Sequence, residues 1–143
     1  MTWGEIQKSA LEKMFAKDSA IRTKDIKTLK NDDDTSWYLS AMPGVANEAI
    51  QKIKPYVMNS FKFNEETGKY EKTVAPKIED DTDIDDEIDW PESACVLIPL
   101  YIASQLYKDD DVSLATTYRN EFETGLQDLN VEIETQDRIR EVY

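Results

Sequence analysis

Asp81, Asp83, Asp85, Glu87, Asp89 and Glu92 stand at positions 1, 3, 5, 7, 9 and 12 of a helix–loop–helix calcium loop, with Ile88 at the usual apolar position 8. Oxygen ligands at those steps would wrap a hard divalent cation. Two features oppose it. Position 6, where glycine permits the sharp turn, is Asp86, and no helical pattern precedes the run. Residues 79–89 hold eight Asp/Glu in eleven positions, so almost any carboxylate template finds a match there. We read the run as a solvated, self-repelling and mobile acidic loop, and expect no metal site.

The remaining chemistry is thinner. The chain has no histidine, so no Ser–His or Cys–His nucleophile pair can form. Cys95 is the only cysteine, which excludes an intrachain disulfide and a structural zinc site drawing on several Cys and His. Its expected role is a small core residue rather than a reactive thiol. Gly4, Gly44, Gly68 and Gly125 lie too far apart for a phosphate-cradling loop. Carboxylates abound, yet no second lobe frames a cleft for a paired-carboxylate hydrolase. The expectation is a protein that is no enzyme and uses no cofactor.

Charge narrows the partners. The formal net charge is −13, a surface that repels phosphate and anionic lipid, so DNA-groove reading and peripheral membrane binding are both disfavoured. Its placement is uneven: residues 1–30 carry seven Lys/Arg against four Asp/Glu, leaving −16 for residues 31–143. Opposite signs at two ends of a small subunit suit side-by-side packing. No basic start followed by an apolar run opens the chain, so no signal peptide is expected. The most apolar stretch, Ala94 to Tyr107, is interrupted by Pro99, Ser104 and Gln105 and falls short of the roughly 20 residues a bilayer span needs.

The elements that would position these residues read as mainly α: a small bundle of about four helices, with a short β-hairpin and acidic-loop insertion between the second and third. One domain is expected over residues 1–130, with the insertion at 59–89 and a C-terminal arm at 131–143. Thr2-Trp3-Gly4-Glu5 has the form of a capping box, and Trp3, Ile6, Ala10, Leu11, Met14 and Phe15 give a first amphipathic helix ending near Ala16. Residues 17–35 lose the pattern and read as a long exposed connection. Pro43 suits the first turn of a second helix whose face is Val45, Ala46, Ala49, Ile50 and Ile53, with Pro55 ending or kinking it. Phe61 and Phe63, then Gly68, then Tyr70, Lys72 and Val74 alternate like a hairpin.

A third helix should open at Asp89-Trp90-Pro91 with Asp89 or a neighbour as its cap, and be bent by Pro99. It is apolar on nearly every side, and so must be buried by its own domain, by neighbouring subunits, or by both. After the turn Lys108-Asp109-Asp110-Asp111, a fourth helix capped at Asp111 carries Leu114, Tyr118, Phe122, Leu126 and Leu129 at four- and three-residue steps. The two should form an antiparallel hairpin. Residues 131–143 alternate weakly and carry both charges, the form of a frayed tail or an arm that orders on a neighbour.

The run from Leu97-Ile98-Pro99-Leu100-Tyr101 through Lys108-Asp109-Asp110-Asp111, followed by Leu114-Ala115 and Tyr118-Arg119-Asn120-Glu121-Phe122-Glu123, resembles phage and prophage head–tail connector (adaptor) proteins. The shared features are a Pro-bent helix, an acidic turn and a return helix. Met1–Ile6 and Ala41–Ala49 are similar to the same group; residues 59–89 depart from it, being shorter than the β-rich insertion relatives can carry. The resemblance implies a mostly helical virion subunit, assembled in the host cytoplasm, that self-associates in a ring, expected to be dodecameric. The ring would sit between the portal protein and the next connector or stopper protein. DNA would pass through its lumen without specific binding, and no membrane would be involved. It further implies that the arm, with Ile133, Ile139, Val142 and Tyr143, grips the portal. Two other readings of an acidic chain stand beside it: a decoy that mimics DNA and blocks a DNA-binding protein, and another tail-assembly interaction protein.

Overall fold

The computed structural model describes residues 1–16, 18–57, 61–72 and 74–142, with side chains described through residue 129 apart from those of 19 and 62. It is mainly helical with one small antiparallel sheet. Helix α1 (Trp3–Met14) starts with the capping box: Thr2 Oγ1 accepts from the Glu5 N–H at 3.1 Å, and Glu5 Oε1 accepts from the Thr2 N–H at 3.0 Å. Trp3, Ile6, Ala10, Leu11 and Met14 bury one stripe of it.

Residues 17–35, expected as an unstructured connection, instead contain two short helices, α2 (Ser19–Thr23) and α3 (Ile26–Lys30). Asp18 caps the first through the Ala20 N–H at 2.9 Å, and Asp25 the second through the Thr28 N–H at 2.8 Å. Those bonds favour the charged carboxylate of Asp25 and hold it below the usual range. Ile21, Ile26 and Leu29 are buried, and the buried Thr35 hydroxyl donates to the Leu29 carbonyl. Five-residue helices are too short to print a hydrophobic period, which is why tertiary burial decides this segment.

Helix α4 (Ser36–Val57) is longer than the pattern suggests. It begins before Pro43, which sits inside it, and runs two residues past Pro55. The Trp37-Tyr38-Leu39 knot is its first turn: Leu39 is buried, Trp37 exposed, and the Tyr38 hydroxyl donates to Asp110 Oδ2 at 3.0 Å. Burial first, and then this hydrogen bond to an anion, push the Tyr38 phenol up to about 12.

The hairpin is as expected: β1 (Phe61–Asn64) pairs antiparallel with β2 (Lys69–Lys72), with Phe61 opposite Lys72 and Phe63 opposite Tyr70. Gly68 turns the chain at φ +68°, a conformation L side chains rarely adopt.

The third helix is broken. A single turn, α5 (Glu92–Cys95), is followed after Val96 by α6 (Leu97–Leu106). Pro91, not Asp89, occupies the N-cap, and no side chain caps it. Pro99 explains the break: its ring collides with the carbonyl of Cys95 four residues back, and the chain avoids this by restarting at Leu97. That places Pro99 in the first turn of α6, where it needs no N–H partner.

Helix α7 (Val112–Val142) returns along α6 and also packs on α4, while α6 is covered by α1 and α4 on its other sides. The fold therefore buries its most apolar helix itself: Leu97, Ile98, Tyr101, Ile102, Ala103 and Ser104 are all inside. Helix α6 needs no neighbouring subunit to cover it. Cross-ties fix the packing. Tyr101 lies against Phe122 at 5.2 Å between centroids, the Arg119 guanidinium sits over the Tyr101 ring at 5.5 Å, and the Tyr118 hydroxyl reaches the Lys13 carbonyl at 2.8 Å.

The cap of α7 is Asp111, whose Oδ1 accepts from the Leu114 N–H at 3.0 Å. Asp111→Ala is expected to lower stability by about 1 kcal/mol, read as a fall in denaturant midpoint at unchanged slope; Asp111→Asn should recover most of it.

Residues 131–142 continue α7 as helix rather than alternating as a loose tail. The side chains of Ile133, Ile139 and Val142, and all of Tyr143, lie outside the described residues.

Candidate functional site

The acidic run is a strap pinned across the start of α1. The Trp3 N–H donates to the Asp86 carbonyl at 3.0 Å, the Gly4 N–H to the Ile84 carbonyl at 2.9 Å, and the Ile88 N–H to the Met1 carbonyl at 2.9 Å. The Met1 ammonium meets Glu87 Oε2 at 2.9 Å, which raises its pKa, the hydrogen bond to Glu87 being the largest cause. With the capping box, every orphan N–H of the first turn now has an acceptor: Thr2, Trp3, Gly4 and Glu5 in order. Ile88 and Trp90 are buried and Ile84 packs on the core, so apolar residues between the acids anchor the strap. The loop expected to be mobile is thus fixed by its backbone and its isoleucines.

Of the calcium-loop residues, Asp81, Asp83, Asp85, Glu87, Asp89 and Glu92 are exposed. Among the described residues no group of three or more Asp, Glu or Cys side chains converges on a point that could hold a metal. The carboxylates serve the backbone instead. Asp83 Oδ1 accepts from the Asp85 N–H at 2.9 Å, and Asp86 Oδ2 from the Asp83 N–H at 3.1 Å. The strap runs from β2 to α5 with no helix before it, so the first arm of a helix–loop–helix site is missing.

Cys95 is fully buried, with Sγ 3.7 Å from the Trp90 carbonyl and 4.0 Å from that of Ile88. Burial pushes its thiol up to about 11, and the carboxylates of Glu92, Glu87 and Asp89 act in the same direction. The native protein is accordingly expected to leave a disulfide thiol reagent unreacted at pH 8 over hours, and to consume one equivalent promptly in denaturant. Prompt native reaction would contradict the burial.

Among the described residues, two concavities stand out. A cleft of about 360 Å³ lies between Lys27 and Lys30 of α3 and the strap residues Asp80 to Asp85. A groove of about 520 Å³ lies between α4 and the segment after β2; Lys54, Lys72, Lys77, Val57, Val74 and Trp90 contribute to its walls. Among the described residues no carboxylate lines the groove, which stands out in a chain of net charge −13. Sequence reading missed it because its three lysines come from separate elements; no local spacing links them. No described helix is long and apolar enough to cross a membrane.

No protein-family model, no curated protein and no solved structure matches this chain.

Proposed function

We propose that the chain is a structural, non-enzymatic virion protein: a head–tail connector subunit that joins a ring between the portal and the next connector or stopper protein, with DNA passing through the lumen. The observation that carries the reading is the α6–α7 hairpin, formed by the residues whose sequence resembles the Pro-bent helix, acidic turn and return helix of connector proteins. Two further features support it. Helix α7 continues as helix to Val142, over the stretch that the resemblance assigns to docking on the portal. The exposed strap carboxylates would line a lumen that repels DNA and so lets it slide.

One observation favours a second reading, the DNA decoy. The strap holds its carboxylates on a pinned backbone, as a phosphate mimic requires. Mixing the protein with a portal protein and measuring the mass of the products separates the two. A ring-on-ring complex is expected for the connector. Failure to join the portal, together with capture of a DNA-binding enzyme, would overturn it in favour of the decoy. A monomer in dilute solution decides neither, because a ring subunit can wait for its template.

A further inference from the structure

We infer that the lysine-lined groove beside α4 receives the acidic strap of a second copy of this chain, a contact that rests on reading the protein as a ring-forming subunit.

The groove is cationic and apolar at once. Lys77 has only a weak, exposed partner, Glu79 at 3.4 Å, and Lys54 and Lys72 form no ion pair among the described residues. Val57, Val74 and Trp90 supply apolar wall. The hairpin extends this surface. Cross-strand partners share a face, so Phe61 with Lys72 and Phe63 with Tyr70 lie on one side of the two strands. Phe61, Phe63 and Tyr70 are 44%, 48% and 64% exposed, and Val74 beyond them 79%. Lys72 belongs both to this aromatic face and to the groove wall, so the two form one surface. Such a surface fits an anionic peptide better than a nucleic acid, whose phosphates the chain as a whole repels.

The complementary charge is carried by the chain itself. Asp80, Asp81, Asp83 and Asp85 are exposed, and none forms an ion pair with a lysine among the described residues. Because the strap backbone is already pinned to α1, little conformational entropy is lost when its carboxylates meet a partner. Groove and strap are different patches of the molecule. Their contact is head-to-tail, the kind that closes into a ring when the rotation allows.

Charge reversal tests this on the full chain. One variant carries Lys54→Glu and Lys72→Glu, the other Asp80→Lys and Asp81→Lys, with Lys54→Gln and Lys72→Gln as a milder control. All these positions are exposed, so circular dichroism should show native helix content. Self-association is read by sedimentation at low ionic strength up to about millimolar concentration. Each reversal alone should weaken association about tenfold or more, and an equimolar mixture of the two should restore it, since a reversed groove then meets a reversed strap. The contact is overturned if the native chain stays monomeric under these conditions, if neither reversal shifts the constant, or if mixing restores nothing. Each of those outcomes leaves the connector reading standing or falling on the portal mixture alone.

Discussion

Phe122→Ala is expected to lower stability by about 3–5 kcal/mol, enough to leave much of the chain unfolded at 37 °C if the whole domain is worth about 5–15 kcal/mol. Phe122 is fully buried and its ring lies against Tyr101, so it joins α7 to the most apolar helix of the fold. Truncation removes the transfer free energy of a benzyl group. It also leaves a cavity between α6 and α7 that close-packed core side chains cannot fill without leaving their rotamers. Phe122→Leu should cost far less, since it keeps most of the volume. Thermal and urea unfolding of the three proteins checks the order. Equal stability of Phe122→Ala and the parent would mean that α6 and α7 do not form the central hairpin.

Two glycine substitutions should act with opposite signs. A Cβ on Gly4 would lie 2.8 Å from the Ile84 carbonyl oxygen and 3.1 Å from Ile84 Cβ. The near atom is backbone and cannot swing aside. Gly4→Val therefore displaces the strap and breaks the Trp3 and Gly4 hydrogen bonds to it, a loss of about 2–4 kcal/mol together with the crowding. A Cβ on Gly44, in the middle of α4, meets nothing within 4 Å. There Gly44→Ala should stabilise by about 0.5–1 kcal/mol through helix propensity alone. Limited proteolysis adds a readout that mere instability would not give: Gly4→Val should open cleavage within residues 79–87 well before the helices are cut. If the strap stays protected in that variant, it is not held by α1.

Where a long amphipathic period or a strong cap exists, sequence and structure agree. The Thr2 capping box, the hairpin around Gly68, the Asp111 cap and the stripe from Phe122 to Leu129 all lie where their residue types place them. The differences come from tertiary contacts that leave no local trace. Residues 18–30 hold three buried apolar side chains, Ile21, Ile26 and Leu29, too few to show a period, so helices α2 and α3 read as loop. The strap reads as free because eight acids outvote Ile84 and Ile88, yet those two residues and its carbonyls do the anchoring. Gly4 was the available clue: glycine in the first turn of an otherwise well-formed helix marks a close approach of another chain segment. The two prolines misled in a particular way. Pro43 lies inside a helix that starts earlier, and Pro99 acts by breaking the helix ahead of it. The groove was illegible because Lys54, Lys72 and Lys77 meet only after α4 and the hairpin have been folded together.

The strap also sets an order of events. Its bonds join the first four residues to residues 84–88, closing a loop of about 80 residues, whereas the α6–α7 turn closes about five. That is four doublings of loop length, or roughly 2–3 kcal/mol more closure entropy to overcome. Helix α1 cannot complete the acceptors of its first turn until that long loop has closed. The α6–α7 hairpin should nucleate while that end is still open, and the strap should latch last and release first.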